Sequence, residues 1–222
     1  MDDSPVASWS LPAFAPRELR PVGGGVAQAG GAVAWIDVGR TLRVAAFLPL
    51  PGGQRHLLID SLAGRGPLVA GEPDEEALLD LLRRRRGPFA ADELLTERGL
   101  ALLYRAVCRL RRLPAQRLGP AQVLAKALAA RCPECSRAAS LFCALLGDVA
   151  AQAALALGAR GGVYVGGELV DGLGDWFVRS PFRRRFEGFG RDREALRGIP
   201  TVVVRGGRVP MPSDAVRSIA TA

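Results

Sequence analysis

The sequence predicts an α/β fold, a mixed sheet covered by helices, and three observations carry that expectation. Residues 32–60 fall into short apolar and alternating runs divided by turn residues, as strands do. Between residues 73 and 158 apolar side chains recur at helical spacing in several segments. A glycine-bracketed apolar strand over 161–167 follows, with a helical stretch and a last strand behind it. A β unit, several helices and then strand–helix–strand require a sheet on which the helices pack.

In chain order, residues 1–22 are rich in Pro and Ala and give no periodic signal. Strands are expected over 32–36, 42–48 and 56–60, as an antiparallel meander whose second turn is Pro49-Leu50-Pro51-Gly52-Gly53. Residues 64–71 read as a loop. Pro73 opens a helix with Asp74, Glu75 and Glu76 in its first turn, and Gly87-Pro88 ends it. A second helix runs from about Gly99, with Leu100, Leu103, Tyr104 and Val107 on one face. A third starts after Pro120. The longest begins near Glu134 and stops at Gly158, with Ala138, Leu141, Phe142, Leu145 and Val149 aligned. Strands over 161–167 and 201–204 flank a helical stretch over 169–178, and a weak helix ends the chain. No repeat or long linker divides the sequence.

The bulk numbers narrow the function. A chain of 222 residues that is 49% apolar holds one substantial packed domain. No apolar run approaches the roughly 20 residues of a membrane span, and Met1-Asp2-Asp3-Ser4 is acidic where a signal peptide starts basic. A soluble, cytoplasmic protein without membrane contact is therefore expected. The net charge of +8 is carried by arginine, since Lys126 is the only lysine. The densest cluster, Arg83 to Arg86, closes a helix where the macrodipole favours cations. No aromatic residues interleave with it as stacking platforms would, which argues against a nucleic-acid partner. Cys132 and Cys135 form a CxxC, with Cys108 and Cys143 at a distance and one histidine, His56, in another segment. One close pair does not make a structural zinc site, and no strand leads into the CxxC as in a thioredoxin-like motif. Buried thiols in helices are expected, and no metal site.

Two stretches carry a family resemblance. One is Asp92-Glu93-Leu94-Leu95-Thr96-Glu97-Arg98-Gly99-Leu100, with Leu103-Tyr104-Arg105 behind it. The other is Ala139-Ser140-Leu141-Phe142-Cys143, followed by Leu157-Gly158-Ala159-Arg160-Gly161-Gly162-Val163-Tyr164-Val165-Gly166-Gly167. It continues through Ser180-Pro181-Phe182-Arg183, Phe186-Glu187 and Ile199-Pro200. In order and spacing these resemble the large domain of bacterial glucokinases, sugar kinases of the actin-like ATPase (ribonuclease-H-like) fold. The resemblance implies phosphorylation of glucose at its 6-hydroxyl by ATP with Mg2+, and a homodimer. It also implies a partial fold. Residues 23–222 correspond to the large domain and 1–22 to a remnant near the domain junction. The family's N-terminal domain opens with an Asp-Gly-Gly-Thr-Asn phosphate loop that this sequence lacks.

The resemblance also assigns residues. Asp2 takes the place of a sugar-contacting Asn, and Asp3 that of the carboxylate that removes the proton from the attacking hydroxyl, a role a carboxylate in hydrogen-bond reach can fill. An acidic chain end is the alternative. The second phosphate loop, Gly-x-Gly-Thr-Gly-x-Gly, aligns with Asp37-Val38-Gly39-Arg40-Thr41-Leu42-Arg43. Gly39 alone remains of its glycines, and Gly39 and Thr41 are the positions carried over as nucleotide contacts. Asp37 brings negative charge there, which Arg40 and Arg43 partly offset. An ordinary hairpin turn is the other reading. The family's Glu-Gly-Gly-His sugar motif falls within Leu62-Ala63-Gly64-Arg65-Gly66-Pro67, which holds neither the Glu nor the His. Glu93 matches the remaining sugar-binding Glu, or else is an acid favoured at a helix start. Gly166 and Gly167 line the adenosine site in the family, and a tight strand-to-helix turn needs the same glycines. The family's Pro-Gly-Leu-Leu-Gly is replaced by Val209-Pro210-Met211-Pro212-Ser213. These losses leave two expectations, a degenerate kinase of doubtful activity and a non-catalytic sugar- or nucleotide-binding relative.

Overall fold

The computed structural model of the chain describes residues 8–9, 15–50 and 56–206. Its centre is a mixed sheet. Strands β1 (Ser8–Trp9), β2 (Leu19–Pro21), β3 (Val33–Val38), β4 (Leu42–Pro49), β5 (His56–Ser61), β6 (Gly162–Gly166) and β7 (Thr201–Val204) lie in the order β1-β5-β4-β3-β6-β7-β2. The meander β3–β4–β5 is antiparallel, while β6 pairs parallel to β3 and β7 parallel to β6. The short β2 closes one edge antiparallel to β7, and β1 the other against β5.

Helices α1 (Pro73–Arg86), α2 (Ala91–Leu94), α3 (Glu97–Leu110), α4 (Pro120–Leu128) and α5 (Pro133–Ala156) connect β5 to β6. The shorter α6 (Glu168–Leu173), α7 (Asp175–Val178), α8 (Phe182–Gly188) and α9 (Arg193–Gly198) connect β6 to β7. Both connections join parallel strands by way of helices, as parallel pairing demands. Alternation along β3 sends Ala34, Ile36 and Val38 into the main helix-covered core and Val33 and Trp35 into a smaller cluster on the other face. There Trp35 stacks on Tyr164 at 5.6 Å and meets Phe47 at 6.1 Å.

The meander, α1, α3, α4, α5, β6 and β7 stand within a few residues of their expected places. The stretch expected over 169–178 is two helices, because Gly174 at φ +53° interrupts it. β2, α2, α8 and α9 are all short and carry no periodic signal in the sequence. The weak terminal helix and Val209-Pro210-Met211-Pro212-Ser213 lie outside the described residues. One expectation needs correction. α5 is long and apolar enough to cross a membrane by length and composition, with mean hydropathy 1.6 over its best window, although 83% of that window is buried inside the fold. Its alanines, interrupted by small and polar residues, conceal the length of this run. It is the core helix, packed on α3, α4, α8 and the sheet.

Two arginines with largely buried side chains fasten the helices to one another and to β7. At Gly147 of α5 an added Cβ would lie 2.4 Å from the Phe182 carbonyl oxygen, so the two helices meet where there is no side chain. Beside that contact Arg185 of α8 donates to Glu75 of α1 at 2.5 Å and to both carboxylate oxygens of Asp148 of α5. Glu75 also accepts the Gly71 N–H at 2.8 Å. Burial pushes the Asp148 carboxyl up from 3.8, against the pull of Arg185. Burial alone would lower Arg185, but its bonds to Asp148 and Glu75 raise it instead. Arg183 donates to Glu187 at 2.7 Å, to the Ile199 carbonyl at 2.8 Å and to Thr201 Oγ1 at 3.2 Å, tying α8 to the start of β7.

Replacing Arg185 by Met leaves two carboxylates buried without their cation, and denaturant unfolding should show a loss of about 3–5 kcal/mol. Because the folded Asp148 holds its proton more tightly than the unfolded chain, its contribution to stability falls as pH rises from 3.8 through the raised folded value. In an Asp148→Asn variant that slope should disappear from stability measured against pH, whatever the change in absolute stability.

Candidate active site

The carboxyl ends of the parallel strands β3, β6 and β7 face one side of the sheet, where ligands gather in open α/β folds. The register places Asp37 level with Gly166. One residue on, Gly167 has φ +103°, and a Cβ there would lie 2.5 Å from the Val38 carbonyl oxygen and 2.6 Å from the Val38 nitrogen and Asp37 Oδ1. The strand-to-helix turn between β6 and α6 therefore rests on the last residues of β3. Only glycine permits this approach. At Gly39 the reverse holds, since no atom lies within 4 Å of an added Cβ.

The β3–β4 turn is closed by the Gly39 N–H donating to the Thr41 carbonyl at 3.1 Å, and the Gly39 carbonyl accepts the Glu97 N–H at 2.9 Å. The turn is thus docked on the first residue of α3. Thr96 caps that helix, its Oγ1 accepting the Gly99 N–H at 3.1 Å. At the tip Arg40 is exposed and leans over a cavity of about 520 Å3 lined also by Asp92, Glu93, Thr96, Arg98, Arg105 and Gly119. Behind α3 the buried Tyr104 hydroxyl accepts the Gln116 N–H at 3.2 Å, and its pKa is pushed up to about 12, chiefly by burial.

The two acids of this cavity are engaged. Glu93 Oε1 accepts the Ala90 N–H at 2.9 Å, capping α2. Asp92 pairs with Arg65 at 3.7 Å, and the Ala91 N–H donates to the Gly66 carbonyl at 3.0 Å. Arg40, Arg98 and Arg105 have no carboxylate partner among the described residues. The cavity therefore presents three guanidinium groups against two occupied carboxylates, a balance that suits an anion. Asp37 faces Arg43 across the β3–β4 pair, so the negative charge at the turn has a cation opposite it.

Gly39 and Thr41 share the hairpin turn, Gly166 and Gly167 abut it, and Glu93 lies across the cavity from its tip. Asp2 and Asp3 lie outside the described residues. Asp92 was not singled out by the sequence. Two adjacent acids in one short helix are indistinguishable in sequence, and the pairing with Arg65 becomes visible only once residues 62–66 fold against α2. Arg98 and Arg105 were hidden for a similar reason, lying seven residues apart on a helix in an arginine-rich chain. Among the described residues no group of three or more His, Cys, Asp or Glu side chains could hold a metal ion.

The family model described as Glucokinase matches residues 1–212. The glucokinase of Chromobacterium violaceum is 38% identical over 218 residues, covering 97% of this chain. The chain spans 61% of that relative's length. Among solved structures, a glucokinase from an Antarctic psychrotroph superposes with a TM-score of 0.81 at 23% identity, over 94% of this chain and 64% of that one. A ROK family glucokinase from Streptomyces griseus, in complex with glucose and AMPPNP, gives 0.53 at 15% identity, over 81% and 57% of the two chains. These two likenesses concern the fold, which is that of the actin-like ATPases.

The steric contrast between the two glycines is testable by denaturant unfolding. Gly167→Ala should destabilise by about 2–4 kcal/mol, through both the left-handed backbone and the contact with Val38. Gly39→Ala, with open space at its Cβ, should stay within about 0.5 kcal/mol of the parent.

Proposed function

The chain belongs to the glucokinase family, and from that premise we propose that it supplies the large-domain side of a site that transfers the γ-phosphoryl group of ATP to the 6-hydroxyl of D-glucose, the first step of glycolysis. Residues 23–222 would form that domain and 1–22 would lie near its junction with the phosphate-binding domain. The junction of Gly167 with Asp37 and Val38 carries the proposal, because it joins the two turns that would hold a nucleotide. The Streptomyces griseus enzyme with glucose and AMPPNP bound, which shares the fold, supports the choice of ligands.

In this reading Gly39 and Thr41 meet the phosphates and Gly166 and Gly167 receive the adenosine. Arg40 supplies side-chain donors where the family's loop has backbone N–H groups, and guanidinium is well suited to phosphate oxygens. Magnesium comes with the nucleotide and supplies charge neutralisation when bound. Asp3 takes the proton of the 6-hydroxyl, while Asp2 and Glu93 hold other sugar hydroxyls. Asp92, facing the same cavity, is a further candidate for the sugar. A cytoplasmic homodimer completes the proposal, by family analogy.

The missing Glu and His of the sugar motif weaken glucose binding. Each lost hydrogen bond to a buried ligand group costs on the order of 1–3 kcal/mol, or roughly 5- to 150-fold. A coupled assay with glucose and ATP should therefore give slow turnover, with a KM for glucose above about 1 mM, the upper end of the usual range. Arg40→Ala should weaken AMPPNP binding about 10- to 100-fold by calorimetric titration, the worth of one charge-assisted contact. An unchanged affinity would remove the hairpin tip from the nucleotide site. A thermal shift with AMPPNP but no sugar phosphate formed would identify a non-catalytic nucleotide-binding relative.

A further inference from the structure

Cys132, Pro133, Glu134 and Cys135 open the long helix α5, and the structure separates the two thiols that the sequence had grouped as buried and helical. Cys132 stands outside the helix as its N-cap, with φ −148° and ψ 106°, and is only partly buried. Cys135 lies in the first turn and is fully buried. These are the N-cap and N3 positions, where in a capping box each side chain reaches the backbone N–H of the other residue. The Cys132 sulfur accepts the Cys135 N–H at 3.3 Å, which holds it beside Cys135. On its other side the Cys132 thiol donates to Glu134 Oε2 at 3.7 Å. Glu134 is held in place by Arg111, just past the end of α3, at 3.2 Å.

The geometry points to a modification site. We propose that Cys132 and Cys135 form a reversible disulfide by exchange with a low-molecular-weight disulfide such as oxidised glutathione. The partly exposed Cys132 is the attacking sulfur and the buried Cys135 resolves. Cys132 gives its proton to the neighbouring Glu134 carboxylate, and its sulfur bonds to one sulfur of glutathione disulfide. The other half leaves as a thiolate and takes up a proton. Cys135 then loses its proton and attacks the Cys132 sulfur, expelling the second glutathione. Two protein thiols are oxidised, and one small disulfide is reduced to two thiols. A reductant of the same thiol class runs the sequence backwards.

Position makes this pair different from the other cysteines. Cys143 lies one face further along α5 and is fully buried, and Cys108 is buried on α3. Neither has a route to a soluble disulfide without unfolding. The reaction does not depend on kinase activity.

The test equilibrates the full chain in glutathione buffers of increasing oxidised fraction, followed by acid quench, alkylation and peptide mass analysis. The peptide bearing Cys132 and Cys135 should lose the mass of two hydrogens, and dithiothreitol should restore it. Cys108 and Cys143 should be alkylated only after denaturation. In Cys135→Ser the glutathione adduct on Cys132 should persist at least tenfold above the parent level. In Cys132→Ser, where serine also caps helices well, neither adduct nor disulfide should form, with thermal melting confirming the fold. Two free thiols at the most oxidising buffer would overturn the proposal. So would a glutathione adduct in the parent equal to that of Cys135→Ser, or a bond from Cys135 to Cys108.

Discussion

The parallel pairing of β6 with β3 sets the position of everything at the carboxyl edge of the sheet. It brings Gly166 level with Asp37, and the next residue can turn into α6 only by lying against Val38, where a methyl group would collide with the chain. Parallel neighbours must be joined by a long crossover, and here the crossover is the helical layer ending in α5. That helix is buried nearly all round, so its packing on α3, α4 and α8 fixes where β6 enters the sheet. Arg185 and Arg183 hold the next layer. The first binds α8 to α1 and α5, and the second fastens α8 to the start of β7. Strand ends, helix starts and turns come into one neighbourhood because these helices have little freedom to slide.

Within that neighbourhood the charge is carried by side chains. The β3–β4 turn holds a single glycine, Gly39, and Arg40 stands at its tip. Arg98 and Arg105 join it from α3, while Asp92 and Glu93 are occupied by Arg65 and by the cap of α2. Guanidinium side chains bring strong, forked donors but also rotamer freedom that a backbone cradle does not have. Such side chains suit an anion but would position it less sharply. Phosphoryl transfer depends on positioning, so binding can persist where turnover declines.

Much of this was legible in the sequence. The meander announced itself by alternation, α1 by Pro73, its acidic first turn and Gly87, and α5 by its long apolar face. The short elements were not, because tertiary contacts make them. β2 has three residues and exists through its pairing with β7, reinforced by the Val22 N–H to Thr201 carbonyl bond of 2.9 Å. α2 spans a single turn held against residues 63–66. Burial of ion pairs was equally hidden, since Glu75, Asp148 and Arg185 are far apart in the chain and ordinary in type. In the candidate site, a turn is one of two readings the sequence offers for each glycine, and only coordinates separate Gly167, which the protein's own packing requires, from Gly39, which it does not. The CxxC illustrates the same limit. Spacing showed a pair, but not that one sulfur caps the helix while the other lies behind it.

The central claim is that the β3–β4 turn and the β6–α6 turn form one nucleotide-binding edge. Titration of isotope-labelled protein with AMPPNP and Mg2+, followed by amide NMR shifts, tests it most directly. The account predicts that the largest changes fall together on Gly39, Arg40, Thr41, Gly166 and Gly167. Saturable changes confined to other residues, with those five amides unmoved, would contradict it.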